Sequence, residues 1–275
     1  MRRARRIAVE AFALVVAGVV FLVPFGFILL TAAKDGEESA ELSLSWPSHW
    51  ALWDNVQEVL SAQDYLLVTA MRNSLILTVV SVTLLVVLAS MVGFVLQRRA
   101  GRVGDVVGML VLAGLIVPPA VVPTIWVLQG IGLFKTLPGL ILVEVAYTLP
   151  YSVLLFRAFM ATIPRELDEA ALLDGCSGLN LFFRVIFPLL RPVVVTVVIT
   201  TSVFVFSDFV NPLYFLPGDE NATVQLTLFN FRSQFSTDWN LLFTDVVLIT
   251  IPPLVAFLFF NRKIVDGMTA GAVKG

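Results

Sequence analysis

Two uncharged apolar runs, residues 11–30 and 74–96, constrain this chain more than any other feature. Each is as long as the roughly 20 residues with which a helix crosses about 30 Å of hydrocarbon. Similar runs recur, and 58% of the residues are hydrophobic against 14% charged. In lipid, a helix satisfies its own backbone polar groups. The alternating ten-residue pattern of a membrane β-barrel is absent. The pattern predicts an all-α membrane protein with six transmembrane helices near 8–31, 74–96, 106–128, 138–158, 190–216 and 243–260, in one domain over 1–275. The opening MRRARR and its apolar run have the layout of a signal peptide, with Thr31-Ala32-Ala33 as a weak small-residue site. The run exceeds the about 7–15 residues of a signal h-region, so a retained first span is expected.

Composition narrows the chemistry. One histidine, His49, and one cysteine, Cys176, leave almost nothing for a metal site or a nucleophile–base pair. A membrane-embedded enzyme is disfavoured on that ground. Net charge is −2, so no global basic field awaits nucleic acid.

Charge also sets orientation, since Lys and Arg accumulate on the cytoplasmic side of a membrane. With the N-terminus inside, all 18 Lys and Arg except Lys34, Arg72, Lys135 and Arg232 fall on the inner side. Both termini are therefore expected in the cytoplasm. The first outer loop, about 32–73, is acidic and carries Trp46, Trp50 and Trp53. Tryptophan prefers the membrane interface, so a short amphipathic segment on the outer surface is expected. A docking surface for an external partner is compatible with it.

An acidic, helix-prone insert, 164–188, interrupts the apolar chain on the inner side between spans four and five. Pro164 and the acids Glu166, Asp168 and Glu169 suit a helix start. Leu167, Ala170, Ala171 and Asp174 share one face by spacing, and the other charges line the rest. Gly175 is a natural stop. Ser177 is placed to cap a second helix running to about Ile186, before Pro188. By itself this is a two-helix surface hairpin, whose small Ala170 and Ala171 favour close approach of another surface.

The hairpin resembles the signature loop of binding-protein-dependent ABC importer permeases. That pattern is Glu-Ala-Ala, three residues, Gly, nine residues, Ile, any residue, Leu-Pro. This chain has Glu169-Ala170-Ala171, Gly175, Val185, Phe187 and Pro188, with Val and Phe as apolar departures. The tail, residues 266–275, and the stretch Phe206-Ser207-Asp208-Phe209-Val210-Asn211-Pro212-Leu213 are similar to the maltose-type carbohydrate subfamily. Many members of it have Trp-Asn where Phe206-Ser207 stand here.

The resemblance implies a type I importer permease fold with cytoplasmic coupling helices. It implies that the hairpin docks in a groove of a cytoplasmic ATPase. Glu169 would pair with a basic residue there, Ala170 and Ala171 would pack in the groove with Asp174 beside them, and Gly175 would permit the turn before Pro188. The tail 261–275, with Gly267, Thr269, Ala270, Gly271 and Lys274, would reach into the ATPase interface. Implied partners are a second homologous permease, an ATPase dimer and an extracytoplasmic binding protein, which the outer loop 217–242 (Gly218, Asp219, Glu220, Asn221) would enter. ATP and Mg would be held by the ATPase and no cofactor by this chain, which has no Walker-type phosphate loop.

Ionisable residues inside spans are costly and usually functional. Glu144 in span four and Asp208 in span five are candidates for the solute pathway, while Asp245 reads as interfacial and is set aside. Tyr147 and Tyr151 flank Pro150, and Asn211 flanks Pro212. Aromatic faces with hydroxyls and amides suit a neutral sugar. A solute such as glycerol phosphate or a polyamine is the alternative, though no Arg or Lys lies well inside a span to hold a phosphate. An ion-coupled transporter using Glu144 and Asp208 is the alternative of a different class, and it leaves the hairpin without a purpose.

Overall fold

The computed structural model of the protein describes residues 2–99, 101–218, 220–232 and 237–272, with side chains from 10 to 259 within those limits. Most of the described residues are helical, with irregular connections such as 42–51 and 131–136 and an isolated bridge between Arg232 and Thr237. Two compact units divide the chain, residues 1–71 with 224–251 and residues 72–223 with 252–275.

The first unit holds α1 (Arg2–Ala32), α2 (Gly36–Ala40), the start of α3 (Leu52–Arg98), α12 (Val224–Thr227) and the start of α13 (Trp239–Ala272). The last carbonyls of α1 have no partner within the helix, as at any helix end. Side chains supply one. Asn55 Nδ2 donates to the Ala32 and Lys34 carbonyls at 2.9 and 2.8 Å. Thr244 also donates to Ala32, and Asn240 Nδ2 donates to Asn55 Oδ1 at 2.8 Å. Lys34 is fully buried, and its ammonium donates to the Ser43 carbonyl and to the hydroxyls of Ser43 and Ser45. Trp46 and Trp50 meet edge to face and remain exposed, as does Trp53. The start of α3 lies well before the expected residue 74. Residues 62–65 leave helical geometry, with positive φ at Gln63, Asp64 and Tyr65.

The second unit carries the rest of α3, then α4 (Arg102–Ile116), α5 (Val121–Gly130), α6 (Leu137–Met160), the hairpin, α10 (Arg191–Phe206) and α11 (Val210–Phe215). The hairpin consists of α7 (Glu166–Leu173), α8 (Gly178–Leu181), a π turn (Phe182–Ile186) and α9 (Phe187–Leu189). Leu85, Ala89, Phe156, Met160, Phe182, Ile186, Leu190 and Val197 form the main core, all of them buried. A second cluster joins Leu77, Leu140, Val205, Phe215 and Leu216.

Helices α1, α6 and α13 cover the stretches read as spans one, four and six, whereas the stretches read as spans three and five are broken. Pro118 and Pro119 have no amide hydrogen, and proline forces its predecessor toward extended backbone. Val117 is accordingly extended (φ −75°, ψ 120°), and α4 ends at Ile116. In span five, Pro212 cannot donate backward, and the helix opens between Phe206 and Val210. Among the described residues four helices are by themselves long and apolar enough to cross a membrane: Glu10–Ala32, Leu52–Arg98, Leu137–Met160 and Trp239–Phe259. The pair Gly178–Leu189 and Arg191–Phe206, bent by 78°, passes the same test together.

Gly93 marks a close helix crossing, of α3 on α6. A Cβ there would lie 2.9 Å from Phe156 Cβ and 3.1 Å from the Arg157 nitrogen, whereas one at Gly26 meets nothing within 4 Å. Gly93→Ala is expected to cost about 1–3 kcal/mol, read as a lower thermal midpoint in detergent. Gly26→Ala should stay within about 0.5 kcal/mol of the parent. Equal midpoints for the two variants would contradict this packing.

Candidate functional site

The hairpin between α6 and α10 is two-faced. Ala171, Leu181, Phe182, Ile186 and Leu190 point inward and join the core of Phe156 and Met160. The outward face carries Glu166, Leu167, Glu169, Ala170, Leu172, Leu173 and Asp174, all exposed, and Leu173 is 89% exposed. Leu167, Leu172 and Leu173 are thus all open to solvent among these carboxylates.

The turn follows from Gly175. Its φ is +85°, a region open to glycine and costly for other residues. The Gly175 amide donates to the Leu172 carbonyl at 3.1 Å and the Cys176 amide to the Ala171 carbonyl at 2.9 Å. This pair of bonds is a Schellman closure. Ser177 stands at the cap position of the next helix, but its side chain makes no cap bond. That helix does not stop before Pro188, as the sequence suggests. The wide π turn ends with the Phe187 amide donating to the Phe182 carbonyl. Such a turn seats Pro188 without an i−4 donor, and the helix continues to Leu189.

The resemblance sends both alanines into an ATPase groove, and the structure divides them. Ala170 is exposed, while Ala171 is 7% exposed and packs in the chain's own core. The inward stripe of α7 is Asp168 and Ala171, three residues apart, rather than the face of Leu167, Ala170, Ala171 and Asp174. An acid can sit inward here because Arg98, at the end of α3, reaches it: Nε lies 2.6 Å from Asp168 Oδ2. No local sequence signal marks that pair, whose members are 70 residues apart.

A second polar region lies between α6 and α10. Glu144, Tyr147, Thr148 and Tyr151 recur at i, i+3, i+4 and i+7 and so share one face of α6. Tyr147, Thr148, Tyr151, Thr200, Thr201 and Phe204 line a groove of about 300 Å³. Tyr147 Oη is 3.1 Å from Thr124 Oγ1, and its ring meets Phe215 edge to face. At one end Glu144 is fully buried, and Asn211 Nδ2 donates to its Oε1 at 3.1 Å. Asp208 stands in the break of span five, and its carboxyl neighbours that of Glu144. Its Oδ1 accepts the Val210 amide at 2.9 Å and so caps α11. Glu144 Oε2 and Asp208 Oδ2 meet no donor among the described residues. The structure thus brings together Glu144, Asp208 and Asn211, with Tyr147 and Tyr151 along the groove. Sequence reasoning missed the α10 wall, Thr200 and Phe204, although 200, 204, 208 and 211 follow a helical period.

Asp245, set aside as interfacial, is fully buried and accepts a hydrogen bond from Thr227 at 2.8 Å. The backbone of α13 is helical through Gly267, Thr269, Ala270 and Gly271. Their side chains, and all of Lys274, lie outside the described residues. In the loop 217–242, Asp219 and residues 233–236 lie outside them too.

Residues 86–269 match the family described as binding-protein-dependent transport system inner membrane component. The chain belongs to that family. It is therefore a multi-pass membrane transport subunit rather than an enzyme. A probable ABC transporter permease, YurM of Bacillus subtilis, is 30% identical over 92% of this chain and 83% of its own length. The melibiose/raffinose/stachyose import permease MelC of the same organism is 28% identical over the whole of both chains. The fold is shared with a chain from the crystal structure of a bacterial ABC transporter for import of the acidic polysaccharide alginate. The TM-score is 0.83 at 18% identity, over 95% of this chain and 98% of that one.

The bond between Asn211 and Glu144 gives a direct test of the groove's end. Asn211→Leu leaves a buried carboxyl oxygen without its donor, at a cost of about 1–3 kcal/mol. In a Glu144→Leu background the same change should cost far less, because both partners are gone. Additive losses in thermal midpoint would contradict the contact.

Proposed function

We propose that the chain is one permease subunit of an ATP-binding-cassette importer that carries a sugar or oligosaccharide across the cytoplasmic membrane by alternating access. It works with a second, homologous permease, a cytoplasmic ATPase dimer and an extracytoplasmic binding protein. ATP and Mg belong to the ATPase, and this chain binds neither. Both termini and the hairpin face the cytoplasm, as the distribution of Lys and Arg favours.

The observation that carries this reading is the hairpin. Its Glu-Ala-Ala and Gly stand on a rigid turn whose one face is core and whose other face is open. Glu169 and Asp174 offer carboxylates to a basic groove, and Leu172 and Leu173 offer apolar area around them. ATP-driven closure of the ATPase dimer would move the hairpin, and with it α6 and α10, the helices on either side. Those two helices are also the walls of the groove. A movement at the hairpin therefore reaches the solute path directly.

A neutral, hydroxyl-rich solute suits the groove. Two tyrosines, three threonines and a phenylalanine line it, with no cation among them. Aromatic faces pack on sugar rings, and hydroxyls exchange hydrogen bonds with them. Relatives such as the melibiose/raffinose/stachyose permease point the same way.

Glu169→Ala and Gly175→Leu are expected to abolish uptake in cells while the chain remains at normal level in the membrane. Tyr147→Ala should instead raise the sugar concentration for half-maximal uptake, by about tenfold for a lost contact of about 1.4 kcal/mol. Normal uptake in both hairpin variants would overturn the coupling role.

A further inference from the structure

The hairpin is covalently part of α6 and α10, yet a buried ion pair ties it to a third helix. Arg98 is the last residue of α3 and Asp168 the third of α7. Besides the 2.6 Å contact of Nε with Oδ2, an Arg98 terminal nitrogen donates to the Ile163 carbonyl at 3.0 Å. It also lies 3.4 Å from Asp168 Oδ1. Both side chains are nearly closed to solvent, at 9% and 14% exposed. Arg165, just before α7, donates back to the Gln97 carbonyl at 3.3 Å.

The charges also suit the helix ends that carry them. A cation at a helix C-terminus and an anion in a first turn are each favourable. Close packing also fixes the preceding turn of α3. Gly93 lies against Phe156 and the Arg157 backbone, and Phe94 meets Phe182 of the second hairpin arm with centroids 5.5 Å apart. The last two turns of α3 thus touch the end of α6 and both arms of the hairpin.

We propose that Arg98 is a positioning residue that latches the hairpin to α3, so that a displacement of the hairpin moves span two together with spans four and five. The proposal rests on the importer reading given above. The apolar core joins α3 to the second arm through Phe182 and Ile186, and the Arg98–Asp168 pair adds a charged tie from α3 to the first arm, the one that faces the ATPase. With the latch, three of the helices move from one handle. Arg98 touches no solute. Its part is to determine how much of the ATPase's closure becomes movement of the path. A planar guanidinium suits this task, because its fork holds a carboxylate and a carbonyl at once in fixed geometry.

The test uses the complete importer in liposomes loaded with its binding protein. Sugar uptake and ATP hydrolysis are measured on one preparation, with ATPase retention read by gel. Arg98→Met and Asp168→Asn are expected to keep the ATPase bound and ATP turnover running. Sugar imported per ATP should fall about fivefold or more, the lower range of a coupling energy between sites. The exchanged pair Arg98→Asp with Asp168→Arg should recover part of that ratio. Wild-type sugar per ATP in Arg98→Met would overturn the latch. So would loss of ATPase retention in step with uptake in both single variants without recovery in the exchanged pair, which is the pattern of a merely structural contact. If the unaltered chain holds no ATPase at all, the importer reading itself fails, and that outcome is distinct from both.

Discussion

Within an apolar layer, each backbone amide and carbonyl must find its partner inside the chain. The architecture depends on that constraint, and most of all where a helix cannot meet it alone. Proline opens span three at Val117 and span five ahead of Pro212. In span five Asp208 fills the opening by capping α11. At the end of α1, Asn55 and Thr244 close the free carbonyls. Polar side chains are thus drawn to the breaks, and a break is also where a solute can be met. Asp208 and Asn211 stand at such a place, and Asn211 holds the buried Glu144 across from α6.

The hairpin solves a different problem. It must be rigid enough to transmit a push and open enough to be grasped. Its inward face is continuous with the main apolar cluster of the second unit, through Ala171, Phe182 and Ile186. Buried apolar area contributes roughly 25 cal/mol per Å², so this face resists being peeled away. Its outward face keeps leucines and carboxylates exposed. The Schellman closure at Gly175 makes the corner between the arms sharp, and the Arg98–Asp168 pair anchors the first arm to a third helix.

Much of this was legible in the sequence, for identifiable reasons. Long uncharged runs announce spans because lipid tolerates nothing else, and Gly175 announces its turn because few residues take a positive φ. The face of Glu144, Tyr147 and Tyr151 follows from helical period alone. What was not legible depends on partners far away in the chain. Asp168 reads as a surface acid until Arg98 is beside it, and Ala171 reads as free until Phe182 and Ile186 fold over it. Asp245 looks interfacial by position, yet it is buried against Thr227. The prolines are visible in the sequence, but the runs 106–128 and 190–216 read as continuous spans, and only the structure shows helices ending at Ile116 and Phe206, next to Pro118 and ahead of Pro212.

Purification from native cells in mild detergent tests the central claim most directly. The tagged chain would be isolated at its natural level and its companions identified and quantified by mass spectrometry. The account predicts a second permease and an ATPase in amounts comparable to the chain itself. Recovery of the chain alone, or only with copies of itself, in a detergent that preserves other importer complexes would contradict it.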